Sequence, residues 1–230
     1  MSEEVRKMFS EISVKYDLMN DLLSFGIHRL WRRVLARLAS SSVPQPQEIL
    51  DCAGGTGDVA FTLEKEIPSA NITCTDFCED MLGIAKAKAS RHGSRVRFQA
   101  ADAMHLPFDS DSFDLVTISF GIRNVDNPAL CLADMARVTK PGGRVLVLEF
   151  GAPKGFFGLF YRFYSKWIMP TIGKLIAGAG RAYTYLPETA ARFPAGDDFV
   201  RIMNQTGCFS ESASKKLSCG IAYIYVGTVK

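Results

Sequence analysis

Apolar residues change their spacing along the chain, and the change divides the chain into parts. Near the amino terminus they recur at helical spacing in two stripes, which consist of Val5, Met8, Phe9 and Ile12, and of Leu30, Trp31, Val34, Leu35 and Leu38. These stripes predict two helices separated by a turn near residues 24–26. A polar, proline-bearing connector spans residues 40–46, and beyond it short apolar runs alternate with helical stretches. We therefore expect residues 1–46 to form a helical cover on a different kind of fold.

Residues 47–150 alternate strand patterns with helix patterns. The predicted strands are residues 49–52, 72–75, 96–99, 115–119 and 145–150, and the predicted helices are residues 59–66, 79–90 and 128–138. Repeated βα units predict an α/β fold with a doubly wound parallel sheet and right-handed crossovers. Residues 209–216 and 221–229 predict an antiparallel hairpin that closes this sheet. In such sheets a ligand binds beyond the carboxyl ends of the strands.

One domain accounts for the whole length. The parts that we expect are the cover (residues 1–46), the core (47–150), an insertion or lid (151–194), and a closing helix with the hairpin (195–230). The 230 residues are 47% hydrophobic and 22% charged, which suits a single packed core and excludes disordered and collagen-like classes.

Charge and cysteine usage narrow the class of protein further. The net charge of +3 is too small to indicate a dedicated nucleic-acid binder. The six cysteines have no metal-ligand spacing, which favours reduced thiols in a cytosolic protein and predicts no metal site. We also expect no export signal and no membrane span, because no leader pattern and no run of about 18 apolar residues is present.

A glycine-rich loop follows the first predicted strand. Residues 51–58, Asp-Cys-Ala-Gly-Gly-Thr-Gly-Asp, lead from that strand into a helix. Glycine tolerates positive φ and lets the backbone approach a ligand, although a tight strand-to-helix turn also needs glycine. Asp76 ends the next strand, where a carboxylate can accept hydrogen bonds from a ribose diol. Asp102 follows the third strand and could reach an adenine edge. Together these positions indicate a nucleotide site.

Two nucleotides make different demands on this loop. A dinucleotide brings a pyrophosphate, which Asp58 at the start of the helix would repel, although Asp58 could serve as the helix N-cap. A net positive sulfonium ligand tolerates that carboxylate. Residues 51–57 resemble the first motif of the class I S-adenosylmethionine-dependent methyltransferases, with Ala53 in place of the usual first glycine. Further landmarks of that family follow in order at residues 102–103, 106–108, 112–116 and 140–143.

The resemblance implies a seven-stranded, Rossmann-like sheet, S-adenosyl-L-methionine as the cofactor, and a set of binding residues. That set is Asp51, Gly54, Gly55, Thr56, Gly57, Asp76, Asp102, Ala103 and Ser119. The loop residues would line the methionine and ribose portion, Asp102 and Ala103 the adenine, and Ser119 the neighbourhood of the transferred methyl. Residues 119–122 lack the N-P-P-Y motif of enzymes that methylate amino groups of bases, which argues against that activity.

A second, more specific resemblance lies in the cover. Tyr16, Asp17, Met19, Asn20, Ser24, His28 and Trp31 have the spacing Y-D-x-M-N-x-x-x-S-x-x-x-H-x-x-W. This pattern resembles a signature of the quinone-biosynthesis C-methyltransferases, which act on demethylmenaquinol and on polyprenyl benzoquinols. By spacing alone it also fits a helix-turn-helix with Asn20 or Ser24 as a cap. Residues 119–125, 137–151, 182–188 and 192–194 extend the resemblance to nearly the whole chain, with departures at Thr139 and Gly151.

The implied reaction is methylation of a reduced quinol ring, preferably as its phenolate. Arg123 and Asn124, after the fourth strand, are the first candidates for holding the phenolate; loop anchoring and helix capping are the alternative roles. His28 and Tyr16 are the next candidates, as a proton relay or an orienting hydrogen bond. Other activities remain open at this stage: methylation of another lipophilic acceptor, or binding of the cofactor without catalysis.

The insertion is rich in aromatic and basic residues and contains no acidic one between residues 150 and 185. One helical face would carry Phe157, Phe160, Tyr161, Tyr164 and Ile168, while Arg162 and Lys166 point elsewhere. Such a helix is either a lid packed on the core or an interfacial helix on anionic lipid. We therefore expect a cytoplasmic protein that associates peripherally with the inner face of a membrane, binds a prenylated quinol and has no nucleic-acid partner.

Overall fold

The computed structural model describes residues 3–153, 155–168, 171, 185 and 189–230. The helices are α1 (Glu3–Ile12), α2 (Tyr16–Ser24), α3 (Ile27–Ser42), α4 (Asp58–Glu66), α5 (Glu79–His92), α6 (Pro128–Val138), α7 (Gly155–Phe163, followed by a π-helical turn at Tyr164–Ile168) and α8 (Asp197–Gln205). The strands are β1 (Glu48–Cys52), β2 (Asn71–Asp76), β3 (Arg97–Ala100), β4 (Phe113–Ser119), β5 (Thr139–Phe150), β6 (Phe209–Leu217) and β7 (Ala222–Val229).

The seven strands form one sheet in the order β3-β2-β1-β4-β5-β7-β6. Strands β1 to β5 pair in parallel, and β7 lies antiparallel between β5 and β6. This arrangement confirms the predicted doubly wound sheet and its closing hairpin. The strand order reverses between β1 and β4, so the ligand crevice of such a sheet falls at the carboxyl ends of these two strands.

The central strands are buried on both faces, and most of their buried residues are therefore apolar. Leu50 and Cys52 of β1 pack on the side of α6 and α8, whereas Ile49 packs on the side of α3 and α4. The sheet thus separates two apolar clusters. Strand β5 begins at Thr139 rather than at the predicted residue 145, because Thr139 already pairs with Phe113 before a register shift in the ladder.

The cover differs from the predicted pair of helices. A 3-10 turn at Ser13–Lys15 separates α1 from α2, so the first predicted helix is two. The predicted turn near residues 24–26 is confirmed: Phe25 and Gly26 have φ of 49° and 71°, and the Gly26 N–H donates to the carbonyl of Asp21. The connector is shorter than predicted, because α3 continues to Ser42, with Val43 as its C-cap.

Candidate active site

Two adjoining cavities lie at the carboxyl ends of β1 and β4. One has a volume of about 320 Å³ and the other about 60 Å³. Both are lined by Phe9, Tyr16, Ala53, Gly55, Ser119 and Phe120. Because Phe9 and Tyr16 come from the cover and the other four from the sheet edge, the cover forms one wall of both cavities. A reactant in each cavity would meet its partner at this shared boundary.

Carboxylates mark the smaller cavity. Asp76 is 8% exposed; its Oδ2 accepts the Gly55 N–H at 2.8 Å and its Oδ1 accepts the Cys78 N–H at 2.7 Å. Burial raises the pKa of Asp76, although these backbone donors oppose the shift. Asp102 and Ala103 line the same cavity, and Asp102 Oδ1 accepts the Met104 N–H at 3.0 Å. Each carboxylate keeps lone pairs for a ligand hydroxyl or amine.

The glycine loop separates the two cavities. A Cβ on Gly54 would overlap Cys74 Sγ, whereas nothing lies within 4 Å of the Cβ position of Gly55. Gly55 can therefore let a ligand approach the backbone closely. Ala53, the departure from the family pattern, has a left-handed φ of 48°. A Cβ on Gly121 would lie 2.6 Å from the Ala53 Cβ, so a glycine at 121 makes room for the alanine methyl.

Two predicted cofactor residues lie behind this loop. Asp51 is fully buried beneath it, accepts a hydrogen bond from Thr117 at 2.7 Å, and lines neither cavity. Burial raises its pKa to about 7. Gly57 also lines neither cavity, because its open side faces Phe61 and Ala85. Both residues shape the loop from behind the cavity walls, and their role in cofactor binding stays a prediction.

The smaller cavity fits the adenosine end of S-adenosylmethionine. Asp76 offers a carboxylate acceptor for a ribose diol, and Gly55 leaves the loop open beside it. The hydroxyl of Ser119 is buried on the shared boundary and has no hydrogen-bond partner among the residues that the structure describes. A buried unpaired hydroxyl costs stability, and a polar ligand group at the boundary would satisfy it.

Aromatic side chains from three parts of the chain enclose the larger cavity. Trp31 of α3 is 4% exposed; its ring centroid lies 6.2 Å from those of both Phe120 and Phe150, and its Nε1 donates to Ser218 Oγ at 2.9 Å. Tyr16 of the cover also lines this cavity. Burial raises the pKa of its hydroxyl, and Asn20 forms a hydrogen bond with its side chain. The cavity therefore suits a flat, largely apolar ligand.

Arg123 places a buried guanidinium group beside this aromatic cavity. Its Nη1 lies 2.8 Å from Glu149 Oε1, and its guanidinium carbon lies 5.2 Å from the centre of the Phe150 ring. Its Nε is buried and has no partner within the described ranges. Glu149, the partner of Arg123, is fully buried in β5 and was not among the residues predicted from the sequence. The sequence signal for this ion pair was a glutamate within the apolar run of residues 145–150, because a charge buried in such a run requires a partner.

Asn124 lines the smaller cavity and is 8% exposed. Its Nδ2 donates to the carbonyl of Phe120 at 3.4 Å, and its Oδ1 accepts the hydroxyl of Tyr185 at 3.2 Å. The alternative role of Asn124 as a helix cap is wrong, since Asn127 Oδ1 caps α6 by accepting the Leu130 N–H. Loop anchoring by Asn124 agrees with its bond to Phe120.

A charged network fastens the cover to the core. Thr56 Oγ1 donates to Asp17 Oδ1 at 2.6 Å, and the other oxygen of Asp17 binds Lys88 Nζ at 2.5 Å. Lys88 and Arg32 in turn bind the two oxygens of Asp58, at 2.8 and 2.7 Å. Asp58 is therefore an ion-pairing residue in the first turn of α4, and the expectation that it caps this helix is wrong. Burial opposes its ionisation, but Arg32 and Lys88 outweigh this effect and lower its pKa.

The insertion is described only in part. Tyr161 and Tyr164 line the larger cavity, and the Tyr164 hydroxyl donates to the carbonyl of Leu23 at 2.9 Å. The side chains of Phe157, Phe160, Arg162 and Lys166 lie outside the described part, as do residues 172–184 and 186–188. Within the described ranges no helix is long and apolar enough to cross a membrane, and no group of three or more potential ligands could hold a metal ion.

The order of the strands and the helices on both faces of the sheet are those of the class I S-adenosylmethionine-dependent methyltransferase fold. A crystal structure of such a methyltransferase from Thermotoga maritima, described as a possible histamine N-methyltransferase, has the same fold with a TM-score of 0.66. The match covers 97% of this chain and 99% of that chain at 19% sequence identity.

The particular family follows from the sequence: the chain belongs to the ubiE/COQ5 methyltransferase family, whose profile matches residues 1–229. It is 44% identical to the ubiquinone/menaquinone biosynthesis C-methyltransferase UbiE of Bdellovibrio bacteriovorus, covering 99% of this chain and 97% of the relative. It is 47% identical to the demethylmenaquinone methyltransferase of Thermus thermophilus, covering 96% of this chain and 99% of the relative. The predicted fold class, the methyltransferase activity and the quinone-biosynthesis family are confirmed.

Proposed function

We propose that this chain transfers the methyl group of S-adenosyl-L-methionine to a ring carbon of a prenylated quinol. The acceptor is demethylmenaquinol, 2-polyprenyl-6-methoxy-1,4-benzoquinol, or both. The observation that carries the proposal is the pair of cavities that share Ser119 and Tyr16, one acidic and one aromatic. The names of the relatives from Bdellovibrio bacteriovorus and Thermus thermophilus support the same acceptors.

The cofactor would lie in the smaller cavity. Asp76 would accept the ribose hydroxyls, Asp102 and Ala103 would contact adenine, and Gly55 would let the backbone approach the ligand. When bound, the sulfonium supplies an electrophilic methyl group. The protein contributes mainly by holding the ring carbon and that methyl in line, about 3 to 3.5 Å apart.

The acceptor ring would lie in the larger cavity. Only the reduced ring is nucleophilic enough to attack the methyl, and a phenol with a pKa near 10 must lose or share its proton to do so. The unpaired Nε of Arg123 is a buried cationic donor that can hold the resulting oxyanion. Tyr16 keeps its proton, since burial raises its pKa, and can donate a second hydrogen bond.

An anaerobic assay tests this function. The purified chain is incubated with S-adenosylmethionine and either acceptor, in reduced and oxidised form, and the products are identified by mass spectrometry. We expect a ring-carbon methyl only in the reduced samples, because the oxidised quinone is an electrophile. Cofactor binding with product from another lipophilic acceptor alone, or with no product at all, would contradict the proposal and favour one of the two alternatives.

Peripheral binding to an anionic membrane is part of the proposal, because the prenyl tail resides in a bilayer. Exposed large apolar side chains concentrate on the cover and α7: Val14, Leu18, Leu22, Phe25, Ile27, Leu30, Leu159, Phe163, Trp167 and Ile168. The ring of Phe25 lies 5.8 Å from that of Tyr164, which joins the two groups at the wall of the larger cavity. Exposed basic residues on the cover, Lys15, Arg33 and Arg37, suit anionic headgroups.

Removing two of these apolar side chains should weaken membrane binding. In the double variant Phe25→Ser/Trp167→Ser we expect the affinity for anionic liposomes to fall at least about 10-fold, since both side chains are more than half exposed and would enter the interface. Co-sedimentation measures this affinity. The matched control is Leu130→Ser, which removes an exposed leucine on α6, outside the cover and α7. Equal binding by all three proteins would refute this surface.

A further inference from the structure

Methylation of a quinol ring releases one proton, so the site needs a group that can accept it. Eight titratable side chains line the larger cavity among the described residues: Tyr16, His28, Arg32, Asp58, Arg123, Tyr161, Tyr164 and Tyr185. The guanidinium groups keep their protons in folded proteins. Burial raises the pKa of each of the four tyrosines, to about 12 for Tyr161, so these hydroxyls also stay protonated at neutral pH.

Asp58 and His28 remain as acceptors. Both oxygens of Asp58 bind cations, Arg32 and Lys88, so protonation would break two ion pairs and is disfavoured. His28 is different, because burial lowers its pKa despite the opposing effect of Asp21. The imidazole is therefore neutral at pH 7 and has a lone pair to offer.

The turn between α2 and α3 builds a carboxylate–imidazole pair. The left-handed Phe25 and Gly26 reverse the chain so that His28 Nε2 lies 2.8 Å from Asp21 Oδ1. Arg29 binds the same carboxylate and helps to lower the pKa of Asp21 to about 2, which keeps it ionised. Because a carboxylate accepts hydrogen bonds, Nε2 carries the ring hydrogen and Nδ1 carries the lone pair. The side chain of His28 is 7% exposed and lines the cavity.

We propose, resting on the proposed quinol methylation, that His28 is the catalytic base for the acceptor and that Asp21 is its positioning residue. The quinol O–H bond breaks as the proton moves to His28 Nδ1, and Asp21 stabilises the imidazolium. The ring carbon forms a bond to the methyl as the bond from that methyl to sulfur breaks. The proton on that ring carbon then moves to the phenolic oxygen that was deprotonated, which restores the aromatic quinol. His28 releases its own proton to water.

The proposal predicts the direction of a pH effect. The charged groups that act on His28 are Asp21 from α2, Arg32 from α3 and Asp58 from α4, and Arg29 binds Asp21. Asp21 and Asp58 have lowered pKa values and the arginines stay charged, so His28, whose pKa burial lowers, is the group among these whose protonation on acidification would stop a base from acting. A base must be unprotonated to act. The turnover number should therefore be constant above the pKa of His28 and fall as the pH drops below it.

The decisive experiment compares His28→Gln and Asp21→Asn with the parent chain in the anaerobic quinol assay. We expect His28→Gln to lower kcat about 100-fold or more, with little change in KM, and to remove the acid limb of the pH profile. Asp21→Asn should lower kcat about 10-fold or more by weakening the orientation of the imidazole. Added imidazole should restore part of the turnover of His28→Ala.

Arg29→Gln is the matched control, because it removes the exposed partner of Asp21 and leaves the bond to His28 in place. If Asp21 only clamps the turn, Arg29→Gln will lose as much turnover as Asp21→Asn, which would overturn the positioning role. If His28→Gln keeps a kcat within 3-fold of the parent value and the same fall of kcat at low pH, then His28 is not the catalytic base. A parent chain without methylated quinol would instead overturn the proposed function. Thermal melting excludes misfolding as the cause of any loss.

Discussion

Replacing Glu149 with leucine should lower the free energy of unfolding by about 3–5 kcal/mol, because it leaves the guanidinium of Arg123 buried without its counter-charge. Glu149 is fully buried and the side chain of Arg123 is 5% exposed, so water cannot replace the lost partner. The carboxylate also accepts the Phe150 N–H at 2.8 Å, which adds a buried unsatisfied donor to the cost. Denaturant unfolding of the parent and the variant measures the difference.

The double variant Arg123→Met/Glu149→Leu separates stability from catalysis. Replacing both partners of a buried ion pair by apolar residues is often neutral for stability, so the double variant should be more stable than either single variant. It should nevertheless lose most turnover, because the unpaired guanidinium Nε that is proposed to hold the acceptor oxygen is then absent. A double variant as unstable as the sum of the single variants would show that the two charges are not coupled. A turnover of the double variant equal to that of the parent chain would show that Arg123 has no role in catalysis.

Sequence patterns predicted the core well because burial governs it. Residues 49–52 and 115–119 lie in the middle of the sheet, where both faces of a strand are buried, and the short apolar runs that such burial favours are visible in a sequence. The start of β5 depends instead on a ladder irregularity opposite residues 113–115, which no local pattern encodes. The break between α1 and α2 was missed because no proline or glycine marks residues 13–15.

The sequence predicted those residues of the candidate site whose location follows from their own place at the end of a strand. Asp76 and Ser119 end β2 and β4, the two parallel strands that flank β1, and the carboxyl ends of such strands face the crevice. Pairs of distant residues were not predictable, since the sequence does not say which charges meet. Thr56 with Asp17 is such a pair, as is Arg123 with Glu149.

Replacing Asp76 with alanine should weaken binding of S-adenosylhomocysteine by about 100- to 10,000-fold. Two ribose hydroxyls that donate to an ionised carboxylate contribute about 1.5–3 kcal/mol each, and one factor of ten corresponds to about 1.4 kcal/mol. Titration calorimetry measures the affinity. Asp76 also accepts hydrogen bonds from the Gly55 and Cys78 N–H groups, so the loss of affinity alone could come from a distorted loop.

A second ligand resolves this ambiguity. An S-adenosylhomocysteine analogue without the 2′ and 3′ hydroxyls should bind the parent chain much more weakly than the natural ligand does, because the carboxylate of Asp76 is then left without its partners. In Asp76→Ala the two ligands should bind almost equally, although both bind weakly. If the variant still prefers the diol as strongly as the parent chain does, Asp76 supports the loop and another group holds the ribose. The coupling between Asp76 and the diol therefore tests the assignment independently of any damage to the loop.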